Sequence, residues 1–398
     1  MVGRPEPQSQ IYFAIDIESW IEPEHPLRGV KQRVDEILRS MRPKLRKAYS
    51  TFGRPSIPPE MLLKALLLQS LYSIRSERQL VADIRVNLLY RWFLDLSLDA
   101  PVWDATTFTK NRKRFEKHGL LRTFFDRVVE GAYLDRLMSE EHFAVDGTLI
   151  QSYASMKSVR PIETKDRIVS DGAEDDDPGN PTVNFRGEKR GNATHRSLTD
   201  PEARLARKAK GQPSVLAHAL HFLTENRHGL IVDLEVSEAN GHAERDAAMV
   251  MVRRSKRRRT LMKTVAGDRG YDAGEFLLEV EAEGVKPMVA IREGRIRSRT
   301  PAAGARKRTR RRQGTAAYAI SQRKRKLTEE GFGWVKTIGG LRRSRHAARW
   351  KLGQQSLITG AAYNLLRITR LLSRAKCAIR TSSTRPASTA TSRARTCA

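Results

Sequence analysis

The spacing of apolar residues along the chain changes near residue 140. Before that point, apolar residues recur at helical spacing in four stretches. These stretches are residues 27–49, 61–71, 76–87 and 121–140. After residue 140, short apolar runs that suit strands alternate with helical stretches. Because the two periods differ, this order predicts an N-terminal all-helical region followed by a mixed sheet with helices, which is an α/β fold.

Several elements of the predicted sheet can be placed individually. Residues 214–223 and 229–236 flank an Asn-Arg-His-Gly turn, which predicts a β-hairpin. The other elements are helices over residues 243–254 and 273–283 and a strand over residues 286–291. Residues 199–205 begin with Thr-Asp-Pro-Glu and predict the start of a further helix.

Two more predicted strands each end on a single aspartate. Residues 142–150 alternate apolar and other residues up to Asp146, and residues 262–271 carry a short apolar run into Asp268. A lone aspartate at the end of a strand is usually a turn or cap residue. Two of them in a strongly basic chain favour a second interpretation, which is a divalent-metal site that acts on phosphates.

The charge of the chain is far from balanced. Its 398 residues include 74 Lys and Arg against 45 Asp and Glu, a formal net charge of +29. Such a surplus predicts a polyanionic partner, most often nucleic acid, with an affinity that falls steeply with salt. No apolar run approaches the ~20 residues of a transmembrane helix, so we expect no membrane partner. A polar N-terminus without a signal-peptide core predicts a cytoplasmic protein.

Cysteine and histidine do not indicate a zinc site. The two cysteines, Cys377 and Cys397, lie in the last stretch of the chain, so its body has no disulfide framework. Five histidines between residues 195 and 242 lack the spacing of zinc ligands, and we interpret them as structural or surface residues. They are His195, His218, His221, His228 and His242.

A short basic helix is predicted in the N-terminal region. Between residues 103 and 115, four cations stand among Thr and Asn residues. They are Lys110, Arg112, Lys113 and Arg114. This composition suits a helix lying against DNA, as in helix-turn-helix modules, and it suits a solvated basic face equally well. On the first interpretation, residues 1–120 form a helical DNA-binding domain.

Three segments lack apolar periodicity and are predicted to be flexible. Residues 152–213 form an insertion into the α/β region, residues 121–372, and include an acidic run at 171–178. Residues 292–315, in which arginine dominates, predict a disordered basic arm. Residues 373–398, rich in Ser, Thr, Ala and Arg, predict a disordered tail, because little apolar content is present to offset chain entropy.

A third carboxylate is predicted on a helix over residues 321–336. On that helix Glu329 shares a face with Arg325, four residues before it, and Lys336, seven residues after it. Phe332 lies on the same face and supplies an apolar anchor. A carboxylate in this setting suits a metal ligand whose neighbours hold phosphates. The alternative is an ordinary Arg325–Glu329 pair, worth roughly 0.2–0.5 kcal/mol.

The three acids and their neighbours, taken in order, resemble the Asp-Asp-Glu signature of bacterial insertion-sequence transposases. The matching stretches are residues 145–148, residues 267–271, and Arg325, Glu329 and Lys336 with Phe332 and Trp334. The resemblance is to the insertion-sequence-five-like group, of the insertion-sequence-four and -five type, and residues 52–56 and 199–205 share it. One departure is Gln322, which stands where the family's glutamate motif usually carries tyrosine.

This resemblance implies a fold and a function. The fold is a ribonuclease H-like catalytic core, in which Asp146 and Asp268 end neighbouring strands and Glu329 lies on a helix. The function is that of a transposase, which binds the ends of an insertion sequence and catalyses metal-dependent DNA strand cleavage and strand transfer. The three acids would hold two Mg²⁺ ions, or Mn²⁺, with Asp146 bridging both. Arg325 and Lys336 would position DNA.

The resemblance also implies partners and leaves two alternatives open. The partners are double-stranded DNA, both the terminal inverted repeats of the element and its target, and a second copy of the chain in a homodimer on DNA at the bacterial nucleoid. A catalytically inactive remnant would act only as a DNA-binding protein, and the unusual residues 292–315 suit a frameshifted copy. A metal-dependent nuclease acting on cellular nucleic acid would use the same acids.

Overall fold

Helices form the N-terminal part of the chain in a computed structural model, which describes residues 16–50, 52, 55–162, 183–185, 188–207 and 211–383. Their bounds are Ile17–Trp20 (α1), Pro26–Lys47 (α2), Pro59–Leu71 (α3), Glu77–Val86 (α4), Leu88–Leu94 (α5), Thr106–Lys117 (α6) and Leu120–Leu134 (α7). Proline in the first turn of α2 and α3 lacks only an amide that has no helical partner there. The hydroxyl of Ser76 accepts a hydrogen bond of 3.1 Å from the amide of Gln79 and caps α4. The predicted helical start of the chain is confirmed.

A mixed sheet follows these helices. The strands are His142–Gln151 (β1), Val159–Pro161 (β2), Val183–Phe185 (β3), Glu188–Arg190 (β4), His195–Ser197 (β5), Arg204–Ala206 (β6), Val215–Glu225 (β7), Ile231–Glu238 (β8), Thr264–Gly267 (β9) and Lys286–Val289 (β10). The main sheet has the order β10-β9-β1-β7-β6, and β8 also pairs with β7. The pairs β10–β9 and β9–β1 are parallel, whereas β7 is antiparallel to β1, β6 and β8. The predicted mixed sheet and its β7–β8 hairpin are confirmed.

Further helices cover the sheet and join it to the N-terminal part. Their bounds are Ala243–Arg257 (α8), Gly274–Ala282 (α9), Pro301–Arg312 (α10), Ala316–Arg325 (α11), Leu327–Thr337 (α12) and Arg349–Ser383 (α13). α13 packs against α2, α3 and α7 and also against α12 and β8. Buried side chains from both parts, such as Leu67, Phe124 and Ile358, therefore belong to one hydrophobic core. The domain boundary near residue 120 stays a prediction about the sequence, since no separate core marks it among the described residues.

The prediction of a disordered basic arm over residues 292–315 is wrong, because this segment contains α10, which packs on α9. Small residues allow the two helices to approach, since a Cβ on Gly274 would lie 2.9 Å from the Cβ of Ala302. The guanidinium of Arg306 donates two hydrogen bonds of 2.8 Å to the buried carboxylate of Asp272. The abundance of arginine concealed both the close helix contact and the acids that balance the charge.

The prediction of a disordered tail from residue 373 is wrong for its first part, because α13 continues to Ser383. A helix that is already nucleated extends at little cost through residues such as Arg, Ala and Lys, which have high helix propensity. Residues 384–398 and the acidic run at 171–178 lie outside the described residues. Among the described residues, α13 included, no helix is both long and apolar enough to cross a membrane.

Two helix predictions also need correction. Residues 199–205 form a turn that leads into β6 and do not start a helix. The buried carboxylate of Asp200 accepts a hydrogen bond of 2.6 Å from the hydroxyl of Ser152 and lies 2.9 Å from Nε2 of His218. This carboxylate therefore fastens the turn to the sheet and is not available as a helix cap. The single helix predicted over residues 321–336 is divided into α11 and α12.

Candidate active site

The two predicted aspartates lie side by side at one edge of the parallel strands. β1 and β9 pair in register as far as Ala144 and Ala266, and Asp146 and Asp268 each follow two residues later. Asp268 comes directly after β9, as predicted. The prediction that Asp146 ends its strand is wrong, because β1 remains paired with β7 as far as Gln151. Only the parallel pairing of β1 with β9 ends before Asp146, and β1 itself continues beyond this residue.

A glycine stands close after each aspartate, and its amide donates a hydrogen bond to that aspartate's carboxylate. Oδ1 of Asp268 accepts a hydrogen bond of 2.8 Å from the amide of Gly270, and a Cβ on Gly270 would lie 2.9 Å from that oxygen. Oδ1 of Asp146 accepts a hydrogen bond of 2.8 Å from the amide of Gly147. A larger residue at position 270 would therefore crowd the carboxylate of Asp268, and one at position 147 would crowd His221, whose Nδ1 is 2.9 Å from where that Cβ would be.

Packing against β7 brings α12, and Glu329 with it, to the same edge. The ring of Phe332 stacks on that of Phe222, with centroids 4.3 Å apart and an angle of 11° between the planes. The buried hydroxyls of Thr328 and Thr224 share a hydrogen bond of 2.6 Å. Phe332 is thus the apolar anchor that the sequence predicted, and it fixes the helix one turn from Glu329.

The two adjacent glutamates of α12 have different neighbours. Glu330 accepts two hydrogen bonds, of 2.6 and 3.2 Å, from the guanidinium of Arg367 on α13. Glu329 instead affects the pKa of Asp146. Burial raises the pKa of the Asp146 carboxyl, and the negative charges of Asp268 and Glu329 raise it further. Glu329, and not Glu330, is therefore the glutamate of α12 whose charge acts on Asp146.

Arg325 lies beside the first aspartate. Its Nη1 is 3.6 Å from Oδ2 of Asp146, and this positive charge opposes the rise in the pKa of that carboxyl. In the structure Arg325 pairs with Asp146, and not with Glu329 as in the alternative interpretation of the sequence. Lys336 lies close by, and its Nζ donates a hydrogen bond of 2.5 Å to the hydroxyl of Thr148. Both predicted DNA-positioning cations of this region thus contact β1.

Gln322, the departure from the family motif, binds the ends of two strands. Its Nε2 donates to the carbonyl oxygen of Met288 over 2.5 Å and, more weakly, to that of Gly267 over 3.4 Å. Tyr318, one helical turn earlier, packs against a small cluster formed by Ala144, Ala266 and Met288. α11 is therefore fastened to β9 and β10 by an amide at this position.

A fourth carboxylate, which sequence reasoning missed, lies at the same edge. Glu244 is in the first turn of α8, with Oε1 3.1 Å from where a Cβ on Gly147 would be and Oε2 3.8 Å from where a Cβ on Gly270 would be. Burial raises the pKa of Glu244, and the charges of Asp268 and Asp146 raise it further. The signal that could have indicated a close neighbour is the glycine beside each aspartate.

These carboxylates match a hard divalent cation in donor type and in charge, because such ions prefer carboxylate oxygens. At the same edge His221 Nδ1 and Tyr271 Oη are buried and have no hydrogen-bond partner in the part of the chain that the structure describes. Among those residues, no three His, Cys, Asp or Glu side chains are grouped closely enough to hold a metal ion as they stand. The site therefore has the donors for a cation in an open arrangement.

The predicted DNA-contacting helix, α6, presents only part of its positive charge at the surface. Arg112 forms an ion pair with Glu77, and Arg114 lies 4.3 Å from the centre of a tyrosine ring. Lys110 and Lys113 are exposed. Two of the four cations thus hold the helical region together, and two remain on the outer face for a partner.

Comparison with protein families identifies both parts of the chain. The family described as Transposase domain (DUF772) matches residues 15–114, and the family described as Transposase DDE domain matches residues 183–365, which include Asp268 and Glu329. No curated protein and no solved structure matches the chain. Transposases act on DNA, and DDE transposases generally use divalent metal ions. With these matches in succession and the mixed sheet as its ribonuclease H-like core, the chain is a DDE-type transposase.

Proposed function

We propose that this transposase binds the terminal inverted repeats of a bacterial insertion sequence of the insertion-sequence-four and -five type, and that it cleaves and joins DNA strands there. The observation that carries the proposal is the meeting of Asp146, Asp268 and Glu329 at one edge of the sheet. These acids come from three distant stretches of the chain, and their charges repel one another. An arrangement that opposes stability in this way is typical of a functional site.

Asp146, Asp268 and Glu329 would hold two Mg²⁺ ions, with Mn²⁺ as a substitute. When bound, such ions activate the attacking water or 3′-hydroxyl and stabilise the leaving oxygen. Arg325 favours the charged form of Asp146, which is the form that binds a cation. Arg325 and Lys336 also offer positive charge to a DNA phosphate that enters over β1.

Exposed cations extend the positive surface around the acids. Arg269 follows Asp268 directly, and the end of α11 carries three more exposed cations, namely Arg323, Lys324 and Lys326. We expect double-stranded DNA, both element ends and target, to bind across these residues and the exposed lysines of α6. A homodimer on DNA, in the cytoplasm at the nucleoid, would supply one active site for each element end.

The packing of α10 supports an intact enzyme over an inactive remnant. The remnant hypothesis depended on the arginine-rich segment having no structural role. In α10, Arg308 and Arg312 both contact the carboxylate of Glu281 on α9, and Arg306 binds Asp272. A frameshifted segment would not be expected to place three arginines against acids on α9 and just before it.

The decisive experiment is a strand-cleavage assay on DNA that carries the sequences flanking the gene. The full-length protein with Mg²⁺ should nick labelled DNA at the element end and join that end to a target plasmid. EDTA should abolish both products, because the acids alone supply no activated nucleophile. Cleavage without joining would identify the nuclease alternative, and binding without cleavage would identify the inactive remnant.

The contribution of α6 to DNA binding can be measured through its salt dependence. The double substitution of Lys110 and Lys113 by alanine should reduce the slope of log affinity against log salt by about two, one for each lost phosphate contact. The matched control is the double substitution of Lys263 and Lys286 by alanine. Both lysines are exposed at the starts of β9 and β10, which are the strand ends away from Asp268. An unchanged slope in the α6 variant, or an equal loss in the control, would exclude α6 as the DNA-contacting helix.

A further inference from the structure

Glu244 is a charged side chain for which the three-acid site gives no role. It forms no hydrogen bond and no ion pair with any residue in the described part of the chain. Its backbone is firmly held, because Ala243 and Ala247 of the same helix turn are buried and α8 is clamped to β8 by two arginines on Asp233. Packing of α8 therefore keeps this carboxylate where it lies, beside two others that repel it.

The position of Glu244 is defined by the glycines that flank the aspartates. Its Oε1 is 3.1 Å, and His221 Nδ1 is 2.9 Å, from the point where a Cβ on Gly147 would be. Its Oε2 is 3.8 Å from the corresponding point on Gly270, which is also 2.9 Å from Oδ1 of Asp268. The carboxylate thus spans the space between the residues that follow Asp146 and Asp268.

Two buried polar atoms of other residues lie near the same carboxylates. The Nε2 of His221 shares a hydrogen bond of 2.7 Å with the hydroxyl of Ser237, and its Nδ1 has no partner among the described residues. The hydroxyl of Tyr271, a residue that is 1% exposed, also has none, and the charges of Glu244, Asp146 and Asp268 act on it. Buried polar atoms are normally bonded, so these two point to a ligand that carries hydrogen-bonding water, as a hydrated divalent cation does.

We propose that Glu244 is a fourth carboxylate ligand of the divalent cation that Asp146 and Asp268 hold. His221 and Tyr271 then position water on that cation from the protein side. This inference rests on the proposed function, since it concerns the same site, and it extends that site beyond the three acids of the family signature. It also explains why residues 147 and 270 are glycine, because a side chain at either position would enter the space that the cation and its ligands need.

The test is Mn²⁺ binding to the full-length protein without DNA, measured from the electron paramagnetic resonance signal of free Mn²⁺. Glu244→Gln should raise the dissociation constant at least about tenfold. The melting temperature of this variant without metal should equal or exceed that of the wild type, because a repelling charge has been removed. A merely structural role would give the reverse: a lower metal-free melting temperature and unchanged Mn²⁺ affinity.

Asp246→Asn is the matched control, since Asp246 is an exposed acid in the same helix turn. Its Mn²⁺ dissociation constant should stay within about twofold of wild type, as expected for a surface change. Glu244→Asp, which keeps the charge and shortens the side chain, should give an intermediate loss and serves if the glutamine variant does not fold. Wild-type affinity in both Glu244 variants would overturn the fourth-ligand proposal.

A third variant distinguishes failure of this inference from failure of the proposed function. Asp268→Asn removes one of the signature acids and should abolish Mn²⁺ binding. If Asp268→Asn weakens binding and Glu244→Gln does not, the fourth ligand is excluded and the three-acid site stands. If neither variant changes binding, the metal site itself is wrong, and the proposed function fails with it.

Discussion

Replacing Glu329 with glutamine should lower the rate of Mg²⁺-dependent strand cleavage below about one-thousandth of the wild-type rate, a loss of about 4 kcal/mol in transition-state stabilisation. The amide has nearly the size of the carboxylate but lacks its charge, and α12 stays fixed by Phe332 and Thr328. Asp146→Asn and Asp268→Asn should give the same loss. The measurement is single-turnover cleavage of labelled terminal-repeat DNA, with DNA affinity measured in parallel by fluorescence anisotropy and expected to be retained.

Glu330→Gln is the matched control for this prediction. Adjacent helix positions lie about 100° apart, and Glu330 is turned toward Arg367 of α13. Its side chain is 54% exposed, so loss of the ion pair should reduce the free energy of unfolding by less than about 1 kcal/mol. Cleavage should stay close to the wild-type rate. If Glu330→Gln abolishes cleavage and Glu329→Gln does not, the third acid has been assigned to the wrong residue.

Replacing Asp233 with asparagine should lower the free energy of unfolding by about 3–5 kcal/mol. The carboxylate of Asp233 on β8 is fully buried and accepts hydrogen bonds of 2.8 Å from each of three guanidinium groups, those of Arg122, Arg254 and Arg258. Asparagine removes the negative charge and leaves three partly buried guanidinium groups without the carboxylate that neutralises them. Urea unfolding followed by tryptophan fluorescence would measure the loss.

The control for this stability prediction is again Asp246→Asn. Asp246 carries the same charge on α8, but it is exposed, so its loss should change the free energy of unfolding by no more than about 0.5 kcal/mol. Because the arginines on Asp233 come from α7, from α8 and from the residue that caps the end of α8, Asp233→Asn should also loosen α8 and weaken Mn²⁺ binding through Glu244. Equal stability of the two variants would show that the arginine cluster is held by other contacts.

Local sequence patterns were sufficient to predict those helices and turns whose own residues carry a clear helix or turn signal. The nearly continuous apolar run of α3 and the turn between β7 and β8 are examples. α10 was not predicted although its sequence carries a helix start, with Thr300 as the N-cap and Pro301 in the first turn. The segment lacks apolar periodicity, because α10 packs through small residues against Gly274 and through arginine against Asp272.

The candidate site was predictable only in part for a related reason. Asp146, Asp268 and Glu329 could be found because each stands in a recognisable stretch that resembles a family signature. Glu244 stands in an ordinary helix start, and only the pairing of β1 with β9 and the return of the chain through α8 bring it to the aspartates. Proximity that arises from sheet order is not encoded in the spacing of residues along the chain.

The contacts of the long helix α13 limit how far the N-terminal helices can pack while the chain is still being synthesised. This helix covers α3, although about 280 residues separate the end of α3 from its own beginning. At the ~5–20 residues per second of protein synthesis, α3 is made roughly 15–55 s before α13. The face of α3 that α13 covers is therefore exposed while Asp146, Asp268 and Glu329 are still being synthesised. The N-terminal helices reach their final packing only after α13 has emerged from the ribosome.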